Sequence, residues 1–386
     1  MISITTQAQR VARLRELING KELVMMPSCY DGLTAKLIER AGYDACFMTG
    51  YGVSAVHGVP DTQLLSYGEM ARSAQTVCSS LTSIPCLGDG DTGYGNAMNV
   101  KRTVAGYAQA GMAGILIEDQ VSPKRCGHTA GKAVVDREEA FARIRAAVDA
   151  RREGNFDIVI MARTDARATH SLEEAIARCQ EFVRLGADIT FLEAPQSVEE
   201  MKAFCEQVPG PKLANMVEMG MTPILLPEQL HEIGYKIALY PVTLLNASIK
   251  VMEKALVELR NQTAGTSTTS ASGVNATPSA GLNELLSDFA HVKDVVGFTE
   301  YSAEEERYGA TNQPSKCALR YAWYEELCEP AAGRPHPAPA PPASQICGLE
   351  AESNCITRIA ATHGRAVKHL TCATSSCLYD VELVLD

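Results

Sequence analysis

The chain has no hydrophobic run of the roughly 18 residues that a membrane-crossing helix needs. It has no excess of positive charge either: 35 Lys and Arg stand against 46 Asp and Glu, a net charge of −11. Such a chain cannot neutralise phosphates in bulk, which argues against nucleic acid as a partner. Anionic membrane surfaces are disfavoured for the same reason. No two cysteines stand in a CxxC pair, although there are 13 of them. They are scattered singly and odd in number, so a disulfide framework is not expected and a reducing, cytoplasmic setting fits. Cys372 and Cys377 lack a metal-ligand spacing. Cys46 and Cys86 sit in apolar runs, where a thiol behaves as a small buried hydrophobe. Residues 1–18 lack the apolar core of a secretory signal and read as an amphipathic first helix. Arg10, Arg13 and Arg15 keep an organelle transit peptide as the alternative. A glycine-rich phosphate turn is also missing. Pro27-Ser28-Cys29-Tyr30-Asp31 follows the first apolar run, which counts against a doubly wound open sheet.

What is present is a rhythm. The 386 residues are 46% hydrophobic and 21% charged, enough for a large domain with an appendage. Between residues 20 and 260, short apolar runs alternate with helical patterns. The runs are Leu23–Met26, Ala45–Met48, Ile84–Leu87, Gly114–Ile117, Ile158–Met161, Ile189–Leu192, Leu213–Met216 and Ile237–Leu239. Helical segments lie between them. One starts at a Ser171 cap with Glu174 three residues on and stops at Gly186. Continuous apolar strands alternating with helices make a parallel sheet covered on both faces. Eight such units predict a (β/α)8 barrel over 1–260. A Ser/Thr/Gly-rich linker is expected over 261–281, and C-terminal helices over 282–328, with LNELLSDF and TEYSAEEERYG as helical segments. Residues 329–386 read as a Pro/Ala hinge and a disordered or peripheral tail.

In such a barrel the active site lies at the C-terminal ends of the strands. Those ends carry Asp31, Thr49-Gly50-Tyr51, Asp89 and Asp91, Glu118-Asp119-Gln120, Arg163-Thr164-Asp165, Glu193, Asn215 with Glu218, and Tyr240-Pro241. Asp89, Asp91 and Glu118 form a cluster of hard oxygen ligands suited to Mg2+, with Mn2+ as the alternative. An arginine beside such a metal can bind a substrate carboxylate bidentately, and Arg163 is placed for it. Cys126 is flanked by Lys124, Arg125 and His128, cations that favour its thiolate and poise it to exchange a proton near neutrality. Cys126, Arg163, Glu118 and His128 are therefore the candidate catalytic residues.

The motifs KRCGH (124–128), IEDQ (117–120), DGDTGYG (89–95), ARTDA (162–166), LEAP (192–195) and ANMVE (214–218) occur together. In them the chain resembles the isocitrate lyase/phosphoenolpyruvate mutase superfamily over roughly residues 8–310. It is most similar to the short lyase branch: methylisocitrate lyase, 2,3-dimethylmalate lyase and oxaloacetate hydrolase-like proteins. The resemblance implies a Mg2+ site on Asp89, Asp91 and Glu118, with Asp61 near it. It implies a general acid, Cys126, on a mobile loop that also carries Lys124 and Gly127. Thr49, Gly50 and Tyr51 fall on the turn that holds a substrate carboxylate, where the family commonly has Ser-Gly-Gly. Arg163, Glu193 and Asn215 would line the pocket. Pro241 and Thr243 follow strand eight, and Pro241 replaces a serine typical of the hydrolases, which favours a C–C lyase. The activity implied is cleavage of a 2-hydroxy dicarboxylate or tricarboxylate, of 2-alkylmalate or 2-methylisocitrate type, to an α-keto acid and a carboxylic acid. Oxaloacetate hydrolysis to oxalate and acetate is the near alternative, and a non-catalytic scaffold the distant one. The eighth helix would be exchanged between subunits of a homotetramer, a dimer of dimers.

Overall fold

A computed structural model describes residues 5–127, 131–264 and 280–308, and two short strands near the C-terminus, Thr371–Cys372 and Tyr379–Asp380. The chain divides into two compact units, Met1–Ala310 and Thr311–Asp386. In the second, the described residues are the two strands, paired antiparallel with Tyr379 opposite Cys372. The expected hinge and most of the expected tail lie outside the described residues.

The first unit opens with helix α1 (Gln7–Asn19), and eight strands follow: β1 (Val24–Cys29), β2 (Cys46–Met48), β3 (Cys86–Asp89), β4 (Gly114–Glu118), β5 (Val159–Thr164), β6 (Ile189–Leu192), β7 (Leu213–Asn215) and β8 (Ile237–Tyr240). All eight coincide with the apolar runs of the sequence. They pair in parallel in the order β6-β5-β4-β3-β2-β1-β8-β7. The circuit closes between β6 and β7 through a single parallel bridge, Thr190 to Lys212. The result is a nearly closed TIM-type barrel, as expected from the sequence.

The strands are apolar on both faces because both are buried. In β4, Leu116 points into the barrel interior with Phe47, Met161 and Phe191. Its neighbours Ile115 and Ile117 pack outward among residues of the surrounding helices. Helix α1 packs Val11, Leu14 and Ile18 onto the interior cluster. Its arginines tie it in place: Arg10 donates to the carbonyls of Cys78 and Leu81 at 2.9 and 2.7 Å, Arg13 pairs with Asp44, and Arg15 with Asp157 and Asp188. The basic residues that suggested a transit peptide are thus structural contacts of the barrel.

The remaining helices follow in order: α2 (Gly32–Arg40), α3 (Gly50–Val56), α4 (Tyr67–Ser80), α5 (Ala97–Ala110), α6 (Arg137–Glu153), α7 (Ala166–Thr169), α8 (Leu172–Leu185), α9 (Val198–Gln207), α10 (Pro227–Ile233), α11 (Thr243–Ala264), α12 (Ala280–Asn283), α13 (Phe289–Val296) and α14 (Phe298–Arg307). Ser171 caps α8 by accepting from the backbone N–H of Glu174 at 3.2 Å, and Gly186 ends it at φ 104°. The Glu174 side chain does not return to the cap; it is drawn to Arg137 and Arg178 instead. Two boundaries depart from the sequence reading. Helix α11 runs to Ala264, past the barrel boundary expected at 260 and into the expected linker. The LNELLSDF segment is not one helix: α12 ends at Asn283 and Asp288 starts α13, accepting from His291 N–H at 2.8 Å. An aspartate that caps a new helix cannot also continue the old one.

Candidate active site

The DGDTG turn after β3 brings its carboxylates together by backbone geometry. Asp91 is left-handed (φ 48°), a conformation aspartate tolerates better than most residues. The turn lets the Asp91 N–H donate to Asp89 Oδ1 at 3.0 Å. The Asp89 carbonyl accepts from the Tyr107 hydroxyl at 2.6 Å, and Asp89 Oδ2 accepts from the N–H of Gly50 at 3.3 Å. Gly50 opens α3 immediately after β2. A Cβ there would lie 2.6 Å from Asp89 Oδ2, so the close approach requires glycine. Thr49, the cap residue of α3, is buried; Tyr51 is 42% exposed on the first turn.

Lys124 enters this cluster from the loop after β4. Its ammonium lies 2.8 Å from both Asp61 Oδ1 and Asp91 Oδ1, and 4.0 Å from Asp89 Oδ2. Asp61, from the segment between α3 and α4, shares this ammonium with the cluster. The sequence placed Lys124 among the cations that favour a Cys126 thiolate. The structure commits its ammonium to the carboxylates, because buried anions without a cation are costly. His128, another of the three expected contributors, lies outside the described residues. Burial pushes the Asp91 carboxyl up to about 6 against the pull of Lys124. It likewise pushes Glu118 well above the carboxylate range, against Arg163 and Lys124.

Glu118 is 1% exposed, and neither of its carboxylate oxygens accepts a hydrogen bond among the described residues. The nearest cation is Arg163, whose Nε stands 3.3 Å from Oε2. Buried oxygens left in this way fit a hard divalent cation. With Asp89 and Asp91 they make a donor set of the right chemistry for Mg2+.

Arg163 at the end of β5 is the hub of the opposite wall. It donates to Asp165 through Nε (2.8 Å) and Nη2 (3.1 Å). Nη2 also pairs with Glu193 Oε2 at 3.1 Å, and Phe191 lies under the guanidinium at 5.1 Å. Among these pairs Nη1 takes no part. Asn215 Nδ2 lies 3.4 Å from both oxygens of Glu193. Thr243 is exposed and donates to Glu218; Pro241 is half-buried.

The Cys126 loop is folded over this wall. Its base is paired: the Val121 N–H donates to the Ala133 carbonyl at 2.8 Å, and Gln120 bridges to Val134. Gln120 also holds Arg125 by donor and acceptor, at 2.9 and 3.1 Å. Gln63 accepts from the Ser122 hydroxyl and the Lys124 N–H at 2.7 and 3.2 Å. Cys126 is half-buried. Gly127 rests against Arg163 and Glu193 so closely that a Cβ would lie 2.5 Å from Arg163 Nη2. The sequence thus brings Asp61, Asp89, Asp91, Glu118, Lys124, Gly127, Arg163, Glu193 and Asn215 into one connected set. It missed Gln63 and Lys132, single polar residues in loops that carry no periodic signal. Asp31, expected in the ring, instead caps α2 by accepting from Thr34 N–H at 2.7 Å.

Comparison with known proteins agrees with this geometry. Residues 14–260 match the phosphoenolpyruvate phosphomutase family. The chain is 44% identical over 298 residues to 2,3-dimethylmalate lyase of Eubacterium barkeri, covering 77% of this chain and 97% of the relative. It is 43% identical over 246 residues to 2-methylisocitrate lyase of Aeropyrum pernix, covering 64% and 78%. A crystal structure of oxaloacetate acetylhydrolase with 3,3-difluorooxalacetate superposes with a TM-score of 0.71 at 33% identity, covering 80% of this chain and 100% of that one. The chain belongs to the phosphoenolpyruvate phosphomutase family, within the superfamily that includes isocitrate lyase.

Proposed function

We propose that this protein is a Mg2+-dependent carbon–carbon lyase that cleaves a 2-hydroxy dicarboxylate of the 2-alkylmalate type. The products are an α-keto acid such as pyruvate and a carboxylic acid. The observation that carries the reading is the packing of Gly127, next to Cys126, against the Arg163–Glu193 pair. That packing supports a Cys126 loop closed over Arg163, beside the carboxylate cluster. The 44% identity to 2,3-dimethylmalate lyase supports the alkylmalate class, and that to 2-methylisocitrate lyase leaves a tricarboxylate as the second substrate class.

Asp89, Asp91 and Glu118, with Asp61 beside them, would hold the metal. When bound, Mg2+ supplies Lewis acidity that lowers the pKa of the substrate's 2-hydroxyl. Arg163 would bind the substrate carboxylate through Nη1 and stabilise the negative charge that grows there. A carboxylate of the site takes the hydroxyl proton, the C2 carbonyl forms as the C2–C3 bond breaks, and the electron pair passes to C3 and its carboxylate. Cys126 delivers a proton to C3. The loop over Arg163 excludes water that would otherwise compete. Thr49 and Gly50 would hold a carboxylate at the first turn of α3, and Tyr51 stands at its exposed edge.

A specific observation favours a second reading, oxaloacetate hydrolysis: the superposition on oxaloacetate acetylhydrolase. Pro241 speaks against it, since proline has no hydroxyl to orient an added water. The apolar residues left exposed on the C-terminal helices, Met252, Leu256, Phe289 and Phe298 among them, support the homo-oligomer that the family resemblance implies.

The test offers purified protein 2,3-dimethylmalate, 2-methylisocitrate and oxaloacetate in parallel. Pyruvate from either hydroxy acid, abolished by EDTA and in Cys126→Ser, is the expected result. Oxalate plus acetate from oxaloacetate alone would replace the lyase with the hydrolase. Metal binding without turnover of any of the three would sink both assignments.

A further inference from the structure

Lys132 lies on the return limb of the Cys126 loop, and it has no part in the chemistry described above. Its side chain is 3% exposed. Its ammonium donates to two acceptors on different parts of the molecule: the backbone carbonyl of Gly127 and, at 2.8 Å, Asp165 Oδ1. Gly127 is the residue after Cys126. Asp165 follows β5 and is itself immobilised. Its side chain is fully buried and takes both donors of Arg163, while its N–H donates to Asp119 Oδ1 at 2.9 Å. Asp119 is held in turn by the Thr164 hydroxyl at 2.6 Å and Arg178 at 2.9 Å. One buried cation therefore joins the loop to a carboxylate of the barrel wall that is held on several sides.

The geometry points to Lys132 as a positioning residue that latches the Cys126 loop shut and sets the reach of its thiol toward C3. The latch rests on the reading of Cys126 as the proton donor. Chain chemistry explains why a lysine does this. The ammonium has three donors on a flexible stem and can satisfy a carbonyl and a carboxylate at once. Asp165 also needs it, because a buried carboxylate shared with Glu118 and Glu193 around one arginine carries uncompensated negative charge. Releasing Lys132 frees Gly127 from the wall and leaves Asp165 to Arg163 alone.

Hydrogen exchange of the full-length protein reads the latch without any substrate. In Lys132→Met, which keeps the length of the stem without its charge, amides of 121–135 should exchange about tenfold faster, the scale of one charge-assisted hydrogen bond. Amides of β4 and β5 should be unchanged, and Lys132→Arg should restore part of the protection. Gly127→Ala opens the loop by another route, since its Cβ would meet Arg163 Nη2 at 2.5 Å and Glu193 Cδ at 2.7 Å. It should give the same loop exchange with Lys132 intact. In turnover, Lys132→Met should lower kcat more than it raises KM. In D2O it should scramble the face on which deuterium enters C3, where the wild type labels one face. Loop exchange unchanged in both variants would overturn the latch. So would exchange rising equally through β4 and β5, which marks Lys132 as a mere fold contact. Faster loop exchange in a protein that cleaves none of the three acids would support the latch while rejecting the lyase reading.

Discussion

The ammonium of Lys124 sits 2.8 Å from Asp91 Oδ1 and 2.8 Å from Asp61 Oδ1, inside the carboxylate cluster. A divalent ion held by Asp89, Asp91 and Glu118 would compete with this ammonium for the charge of Asp91. Removing the lysine exposes Asp61 and Asp91 to each other. We expect Lys124→Met to bind Mg2+ at least about tenfold more tightly by calorimetry, since a near-contact charge exceeds 1.4 kcal/mol even at a surface-like dielectric. The metal-free variant should melt earlier, and added Mg2+ should raise its Tm more than it raises the wild type's. Equal affinities would show that Lys124 leaves the cluster at no cost.

Gly50 gives a contrasting outcome. Alanine is the better helix former, by about 1 kcal/mol in a helix interior. Yet its Cβ would sit 2.6 Å from Asp89 Oδ2. Gly50→Ala should keep the fold, with Tm within a few degrees, and lose Mg2+ affinity. Full metal binding in this variant would mean that Asp89 has room to turn away and still serve.

Glu174 supplies a pH prediction remote from the site. The guanidinium of Arg137, and then that of Arg178, hold its carboxyl down to about 2. A depressed acid stabilises the fold above its unfolded pKa, and that contribution disappears as the pH falls from about 4.5 toward 2. The pair is partly solvated, so screening limits the effect to about 1 kcal/mol. Urea unfolding between pH 6 and 3 should show a shallower acid decline in Glu174→Gln than in the wild type. Parallel declines would remove Glu174 from the acid response.

The thiols should separate cleanly under alkylation. Cys29, Cys46 and Cys86 are buried, and their sulfurs lie within 4.8 Å of one another between the strands and the outer helices. Desolvation pushes the half-buried Cys205 thiol up to about 12, which slows it as well. Within residues 1–310, iodoacetamide should mark Cys126 first, and an active-site dicarboxylate with Mg2+ should protect it. Peptide mapping that found Cys29 or Cys86 labelled before unfolding would contradict the packing of this core.

The barrel was legible because its signal is redundant. Eight apolar runs buried on both faces leave one arrangement, and the Cys46 and Cys86 runs are buried as their neighbours imply. The carboxylate cluster was legible because aspartates between glycines at a strand end have few structural uses. Asp31 shows the limit of that argument, since a strand-end aspartate that starts a helix serves as a cap. Lys124 shows another: it was read as a neighbour of Cys126, and its ammonium is bound up with Asp61 and Asp91, partners that no local pattern marks. Lys132 and Gln63 act through partners far along the chain, and no local pattern marks such residues. Helix α13 was missed because Asp288 closes one reading frame of the helix and opens the next.

The one bridge between Thr190 and Lys212 makes the β6–β7 wall different in kind from the other seven. Elsewhere the staves of the barrel are laced by ladders of backbone hydrogen bonds. Here the mouth is spanned by side chains, Asn215 reaching Glu193 at 3.4 Å. That stave gap works as an expansion joint. Parting those two side chains would stretch almost no backbone ladder, while the other seven seams keep their register.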